Sequence, residues 1–392
     1  MKVKNILAAL ACAATLSAAA QSPTPAAAQA PKENLRLAMP KTVYAVPGHE
    51  INIYFDNIIL TPNIKNYLID VDCKYGRHDQ DRWRFTPNDS TDASFPVKIT
   101  VSDASGKTLG EASSTVRVTP ANAGAGKDIS VLVIGDSLTD ASAYPKEMAR
   151  LFKAEGNPSV KFIGSHAGGG KTPAEGDTAH EGRGGWTWAG YCERWTDDPK
   201  DKPYRQKSPF LVMKDGKPTL DFNAYLEKYN GGKAPDFIIV FLGINDIFGA
   251  KDENVDQTID RIFQSADKLL GEFKKTCPNV KIGLGLTPPP AGTQDAFGSN
   301  YGCGQTRWQY CKNQRRLVER MTEKFQGSEK DNIFLVPLFV NINCADNYPK
   351  VTEPVNAGNS AKVTRDSNGV HPAAAGYNQI ADSFYYWLKS AL

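Results

Sequence analysis

The 392-residue sequence contains no block of Lys or Arg, so nothing in it argues for a nucleic-acid partner. Its 46 basic and 43 acidic side chains nearly cancel, leaving a net charge of +3. It lacks any Cys-x-x-Cys or His-x-x-x-His spacing, which leaves a zinc site without support; no metal or organic cofactor is expected. The apolar run Ile6 to Leu16 is too short to cross a bilayer, so no transmembrane span is expected. A phosphate loop is also missing. Gly168-Gly169-Gly170-Lys171-Thr172 lacks the first glycine at the required distance, because Gly164 stands one position too early. Around Ser137 there is no Gly-x-Ser-x-Gly elbow, which argues against the α/β-hydrolase type of serine esterase. What remains, 41% hydrophobic and 23% charged, is the composition of an ordinary globular protein.

The first twenty residues are built for targeting. Lys2 and Lys4 precede the apolar run, and Ala18 and Ala20 suit cleavage before Gln21. The expectation is export, to the periplasm or the extracellular space. Cys12 also permits a lipid-anchored form, the lesser reading because it sits early and a better cleavage site follows. Without Cys12 six cysteines remain, an even number compatible with disulfides in an exported chain. Their pairing cannot be read from sequence, though Cys303 and Cys311 are near enough to staple one local segment.

Residues 21–39 are Pro/Ala-rich at first and read as a flexible leader. From 40 to 119 short strand candidates follow one another, at 51–55, 67–73, 82–85, 97–101 and 113–118. Separated by turn signals, they suggest a small β-sandwich. A small-residue linker occupies 120–127. From 128 to 392 apolar runs at 129–134, 160–163, 237–242, 281–286 and 333–340 alternate with helical patterns at 143–154, 254–275, 306–325 and 373–390. Such runs, with little alternation, mark strands covered on both faces of a mostly parallel sheet.

Ser137, in Gly135-Asp136-Ser137-Leu138-Thr139, stands just past the first of those strands, where a helix begins. Open parallel sheets bind ligands beyond the carboxyl ends of their strands, and a helix N-terminus offers N–H groups to developing negative charge. A helix cap would use the same residues. Gly185, in Gly184-Gly185-Trp186-Thr187, lets the backbone approach a substrate and present its N–H, or is an ordinary turn. Asn245 follows another strand in Gly243-Ile244-Asn245-Asp246, where its amide can donate to an oxyanion or merely cap a turn. His371, in Gly369-Val370-His371-Pro372, is the candidate general base, a lone surface histidine being the alternative.

Together these blocks resemble the SGNH (GDSL) hydrolase superfamily: Gly135-Asp136-Ser137-Leu138, Gly185, Gly243-x-Asn245-Asp246 and His371, in the family's order across about 128–392. The resemblance implies a flavodoxin-like three-layer α/β/α fold. It also implies an oxyanion hole made by the N–H of Ser137, the N–H of Gly185 and the Asn245 side chain. One position departs from the pattern. Three residues before His371, where the family has Asp, this chain has Asn368. An amide cannot stabilise an imidazolium by charge. Asn368 or a backbone carbonyl orients His371, Asp366 swings in, or activity is low; a Ser–His pair with a neutral orienting partner is favoured.

His180-Glu-Gly-Arg-Gly-Gly-Trp-Thr187 resembles the carbohydrate-esterase branches of this family more than the thioesterase branch. The expected partner is therefore an O-acylated, above all O-acetylated, polysaccharide or oligosaccharide. Trp186, Trp188, Tyr191 and Trp195 either stack on sugar rings or pack the loop onto the sheet, with Trp186 the residue expected to line the pocket and bind substrate. His180 is expected to be solvated or to contact substrate, and 287–305 to border the site. Two rivals stay open: a lipase-like acylhydrolase acting on longer acyl esters, and a catalytically weakened glycan-binding protein.

Overall fold

The β-period at the start of the chain produces seven strands: β1 (Thr42–Ala45), β2 (Ile51–Tyr54), β3 (Leu68–Cys73), β4 (Arg77–His78), β5 (Arg82–Phe85), β6 (Ser94–Ser102) and β7 (Thr108–Val118). The computed structural model describes residues 35–392; the segment expected to be an export signal and the expected leader up to residue 34 lie outside the described residues. In β6 the alternate side chains Val97, Ile99 and Val101 are fully buried while those between them reach solvent, the signature of a half-covered sheet. The strands form two sheets, β1-β7-β6-β3 and β2-β5-β4, with only the β1–β7 pair parallel. Phe85 of one meets Phe95 of the other edge-on at 5.6 Å, so the sheets share an apolar interior.

Beyond the turns at 120–127 the chain alternates strand and helix. The strands are β8 (Asp128–Gly135), β9 (Ser159–Ile163), β10 (Glu181–Gly182), β11 (Leu211–Lys214), β12 (Lys217–Leu220), β13 (Phe237–Phe241), β14 (Lys281–Gly285), β15 (Ile333–Val336), β16 (Lys350–Asn356) and β17 (Asn359–Asp366). Five of the central strands run parallel in the order β9-β8-β13-β14-β15, with β10 joining the far end of β8 beyond β9. Every residue of β13 is buried, which explains its unbroken Phe-Ile-Ile-Val-Phe run. The helices Ala143–Phe152 and Ala374–Ala391 pack on one another against the sheet, and Val255–Thr276 and Arg307–Phe325 form a second helical layer. This is a three-layer α/β/α domain preceded by a β-sandwich. β11–β12 and β16–β17 are antiparallel hairpins outside the main sheet.

The last apolar run is the one element of the sheet that the sequence overstates. Only Ile333–Val336 is strand; Pro337 removes a ladder donor and Leu338–Asn341 turns into a helix. That short helix receives the N-terminal strands. Asn57 Nδ2 donates to the carbonyls of Phe339 and Ile342, both at 2.8 Å, and Asn52 Nδ2 donates to Asn341 Oδ1 at 3.1 Å. Arg315, 5% exposed, reaches from its helix to the carbonyl oxygens of Ile58 and Arg36. Residues 35–392 accordingly form a single unit.

All six described cysteines are free thiols, so Cys303 and Cys311 do not staple the segment between them; Cys303 is exposed and Cys311 buried. Among the described residues no helix is long and apolar enough to cross a membrane.

Asn57→Ala strands two buried carbonyls at once and should cost about 2–3 kcal/mol of stability. Urea denaturation should show a lower midpoint and a single transition, whereas an unchanged midpoint would mean that these bonds do not tie the strands to the hydrolase domain.

Candidate active site

In a flavodoxin-like strand order the crevice opens where the connections reverse direction, between the first and third strands of the sheet. Here those are β8 and β13, paired from Val131–Phe237 to Gly135–Phe241. Ser137 follows β8 as the first residue of a one-turn helix, Ser137–Asp140, whose N-cap is Asp136; Asp136 Oδ1 accepts from Leu138 N at 3.0 Å. Asn245 follows β13 in the helix Ile244–Ile247. On the other side of β8, Glu181 and Gly182 of β10 pair with Ile134 and Gly135, which brings the Gly185 turn beside the serine.

His371 arrives from the distant C-terminal turn. Its Nε2 lies 2.8 Å from Ser137 Oγ, across 234 residues of sequence. Asn368 Oδ1 accepts from the backbone N–H groups of Val370 and His371, at 3.0 and 2.9 Å. It thus shapes the turn that carries the histidine and does not touch the ring. Asp366 points elsewhere: its Oδ2 accepts from Thr293 Oγ1 at 2.8 Å, and Lys350 Nζ lies 3.3 Å from its Oδ1. No described residue hydrogen-bonds His371 Nδ1. Burial alone displaces the imidazole, holding its pKa below the ordinary histidine value and keeping it neutral at pH 7.

The turn bearing Gly185 is held from three directions. Arg183 N donates to Gly135 O at 2.9 Å, Gly184 N to Asp140 Oδ2 at 3.2 Å, and Asn245 Nδ2 reaches Trp186 O at 2.9 Å. Trp188 N adds a bond to Asp246 Oδ1 at 3.2 Å. Gly185 itself adopts φ +79°, which L side chains rarely take, and is exposed with no hydrogen bond of its own. Its N–H is therefore unspent. So is the second amide hydrogen of Asn245, and Ser137 N, at the first turn of a helix, has no acceptor within the helix. Gly182 makes the close approach possible, since a Cβ there would sit 2.4 Å from Asp140 N.

Beneath the turn lies a polar network that short-range reading misses. Glu181, fully buried, accepts from Arg183 Nη1 at 2.6 Å, Tyr225 Oη at 2.7 Å, and Ser165 N and Oγ at 2.6 and 2.7 Å. Burial alone would raise the Glu181 carboxyl, but Arg183, His166 and these donors hold it below the usual range, so it stays ionised. His180 is fully buried rather than solvated. Its Nδ1 accepts from Gly182 N at 3.0 Å, so Nε2 carries the proton and donates to Ser142 Oγ at 2.6 Å. Asp136 and Asp246, beside the serine and Asn245, are pushed up to about 7, chiefly by burial.

Trp186 does not present a face to substrate. It is 4% exposed, with the guanidinium of Arg183 at 5.1 Å and that of Arg194 at 5.8 Å from its ring and Tyr191 packed edge-on at 4.9 Å. Trp188 and Tyr191 are buried too, so these aromatics chiefly pack the loop. Residues 287–305 do reach the site's rim, where Ala291 N donates to Gly369 O at 3.1 Å. Asp140 is the residue that sequence reading passed over; it also binds Tyr204 Oη and the Arg205 guanidinium.

Residues 131–384 match the GDSL-like lipase/acylhydrolase family, about two thirds of the chain. The chain belongs to that family. As a GDSL acylhydrolase it is a carboxylic ester hydrolase. Among solved structures it is similar to a family 3 carbohydrate esterase of Clostridium thermocellum, at 18% identity, with 66% of this chain and 94% of that one covered and a TM-score of 0.39. A family 3 carbohydrate esterase of Talaromyces cellulolyticus aligns at 16% identity over 66% and 96%, TM-score 0.34. A carbohydrate acetylesterase of Sinorhizobium meliloti aligns at 15% over 67% and 100%, TM-score 0.35. No curated protein matches the chain.

Asp140→Ala removes the acceptor of Gly184 N and the partner of Arg205 without touching Ser137 Oγ or His371. In this GDSL hydrolase kcat on p-nitrophenyl acetate should fall by about 10–100-fold with KM within about twofold, the pattern of a misplaced catalytic wall. A KM effect with kcat unchanged would refute that role.

Proposed function

We propose that the chain is an exported carbohydrate O-acetylesterase that works through a Ser137–His371 pair. The 2.8 Å contact between Ser137 Oγ and His371 Nε2 is the observation that carries this reading. Ser137 Oγ attacks the acyl carbonyl as its proton passes to His371 Nε2. The oxyanion so formed is met by the N–H of Ser137, the N–H of Gly185 and the free amide hydrogen of Asn245. Collapse expels the sugar hydroxyl, which takes the proton from His371. Water, deprotonated by the same imidazole, then releases acetate from the acyl-serine. Asn368 acts on the backbone of His371, so the imidazolium receives no carboxylate partner, and turnover is accordingly modest.

The carbohydrate part of the proposal rests on the 180–187 block and on the surface. The large apolar side chains exposed among the described residues, Leu60, Leu68, Met213, Val351 and Val355, are scattered in sequence and offer no lid for a lipid.

Ser137→Ala should lower kcat by at least about 10³-fold and abolish fluorophosphonate labelling. Equal, poor turnover and labelling of wild type and variant would sink the enzymatic role of Ser137. Across p-nitrophenyl esters, kcat/KM should be highest for acetate; a rise towards octanoate would favour a lipase-like enzyme. On the acid side, kcat/KM should climb with an apparent pKa below the ordinary histidine value of about 6.5, because burial makes His371 shed its proton early. An inflection above 7 would require an anionic partner for His371.

A further inference from the structure

Outside the Ser137 site, a cavity of about 310 Å³ lies between the N-terminal strands and the hydrolase domain. Tyr54, Asp56 and Asp81 line it from the strand side; Arg307, Trp308 and Asp366 line it from the hydrolase side. Its volume falls within the range of small-molecule sites. Three features mark it as more than a packing gap. Trp308 is half-buried on the wall, yet its ring meets no other aromatic or cation and its Nε1–H has no acceptor. Asp366 is 4% exposed, and its Oδ1 makes no hydrogen bond, with the Lys350 ammonium alongside at 3.3 Å. The Asp56 carboxylate is tied to no donor, and the enclosing walls together with Asp81 raise its pKa against the pull of Arg307.

The chemistry of this lining selects a ligand class. The lining carries four carboxylates, Asp56, Asp81, Asp295 and Asp366, against four cations, Arg307, Arg315, Lys350 and Arg365, so it holds no excess charge to select an ion, and the polar wall disfavours an acyl chain. A half-buried indole without ring partners beside the unbonded Asp56 carboxylate suits a ring with apolar C–H faces and hydroxyl donors. The cavity also shares structure with the active site. Gly292 and Thr293 belong to the loop whose Ala291 N bonds Gly369 O, and Asp366 ends the strand that leads into the His371 turn. We propose that this cavity is a glycan subsite that takes a neutral pyranose of the substrate chain, its ring laid on Trp308 and a hydroxyl donating to Asp56. This rests on the carbohydrate-esterase reading above and deepens it.

The test uses the full chain carrying Ser137→Ala and calorimetric titration with unacetylated tetrasaccharides built from xylose, glucose, mannose or galactose, with a glucosamine tetrasaccharide as the cationic arm. At least one neutral tetrasaccharide should bind, and Trp308→Ala or the conservative Asp56→Asn should weaken it about tenfold or more. Placed in the chain that retains Ser137, neither substitution should change kcat/KM on p-nitrophenyl acetate, which is too small to reach this cavity, by more than about twofold, which also reports that the variants are folded. Binding of none of the neutral sugars, binding of the glucosamine arm alone, or equal binding by both variants would overturn the subsite. Acetate release from acetylated oligosaccharides by the wild-type chain is scored separately. Its absence alongside Trp308-dependent binding would fell the esterase reading and leave the subsite standing. Acetate release with a KM unmoved by Trp308→Ala would do the reverse.

Discussion

Two residues of parallel pairing, Glu181–Gly182 against Ile134–Gly135, govern most of what surrounds Ser137. The main sheet ends its regular edge with β9, which pairs only with the first half of β8. Without β10 the turn carrying Gly185 would have no ladder to locate it. A two-residue strand has almost no stability of its own, so it is anchored from below, and the Glu181–Arg183 pair does this. A buried ion pair is worth little unless every oxygen and proton is also satisfied. Here Ser165, Tyr225 and the Tyr204 carbonyl complete the set. The charge that makes this region expensive to bury is also what makes its geometry singular.

From that anchor the site is assembled as three clips on one turn. Gly135 O, Asp140 and Asn245 each grip a different peptide between Arg183 and Trp186. Gly135 ends the strand that leads to Ser137, Asp140 shares the one-turn helix of Ser137, and Asn245 lies in the helix after β13. Strand end, Ser137 helix and Asn245 helix therefore cannot shift independently, and the unspent donors of Ser137, Gly185 and Asn245 are held as a set. Preorganised donors stabilise developing charge because no reorganisation is needed when it appears.

How much of this was legible depended on range. The strands at 129–134, 160–163 and 237–242 and the helices at 143–154 and 254–275 lie within a few residues of their expected ends, because continuous apolar runs and 3.6-residue periodicity are local signals. Ser137, Asn245 and His371 stood out by their positions after strands and before a helix. Local pattern could not tell that Trp186 would be approached by both Arg183 and Arg194, or that His180 would be sealed against Ser142, since each outcome is decided by how the chain packs in the fold. Asp140, one more acidic residue in a one-turn helix, carried no mark that distinguished it. The Asn368 substitution was visible as a departure, but only the fold disclosed that its oxygen serves two backbone N–H groups.

The bonds from Asn52, Asn57 and Glu50 to Asn341, Phe339, Ile342 and Tyr386 span 282 to 336 residues of chain. Their meaning is temporal as well as structural. The buried polar groups of Asn52 and Asn57 find partners only when residues 282 to 289 positions further along the chain are in place, so this seam closes late. High sequence separation of this kind slows folding, and it makes the emerging N-terminal half a species with unfinished edges. Removing either side of this seam would leave the buried groups of the other without partners, so a unit that folds independently must contain both.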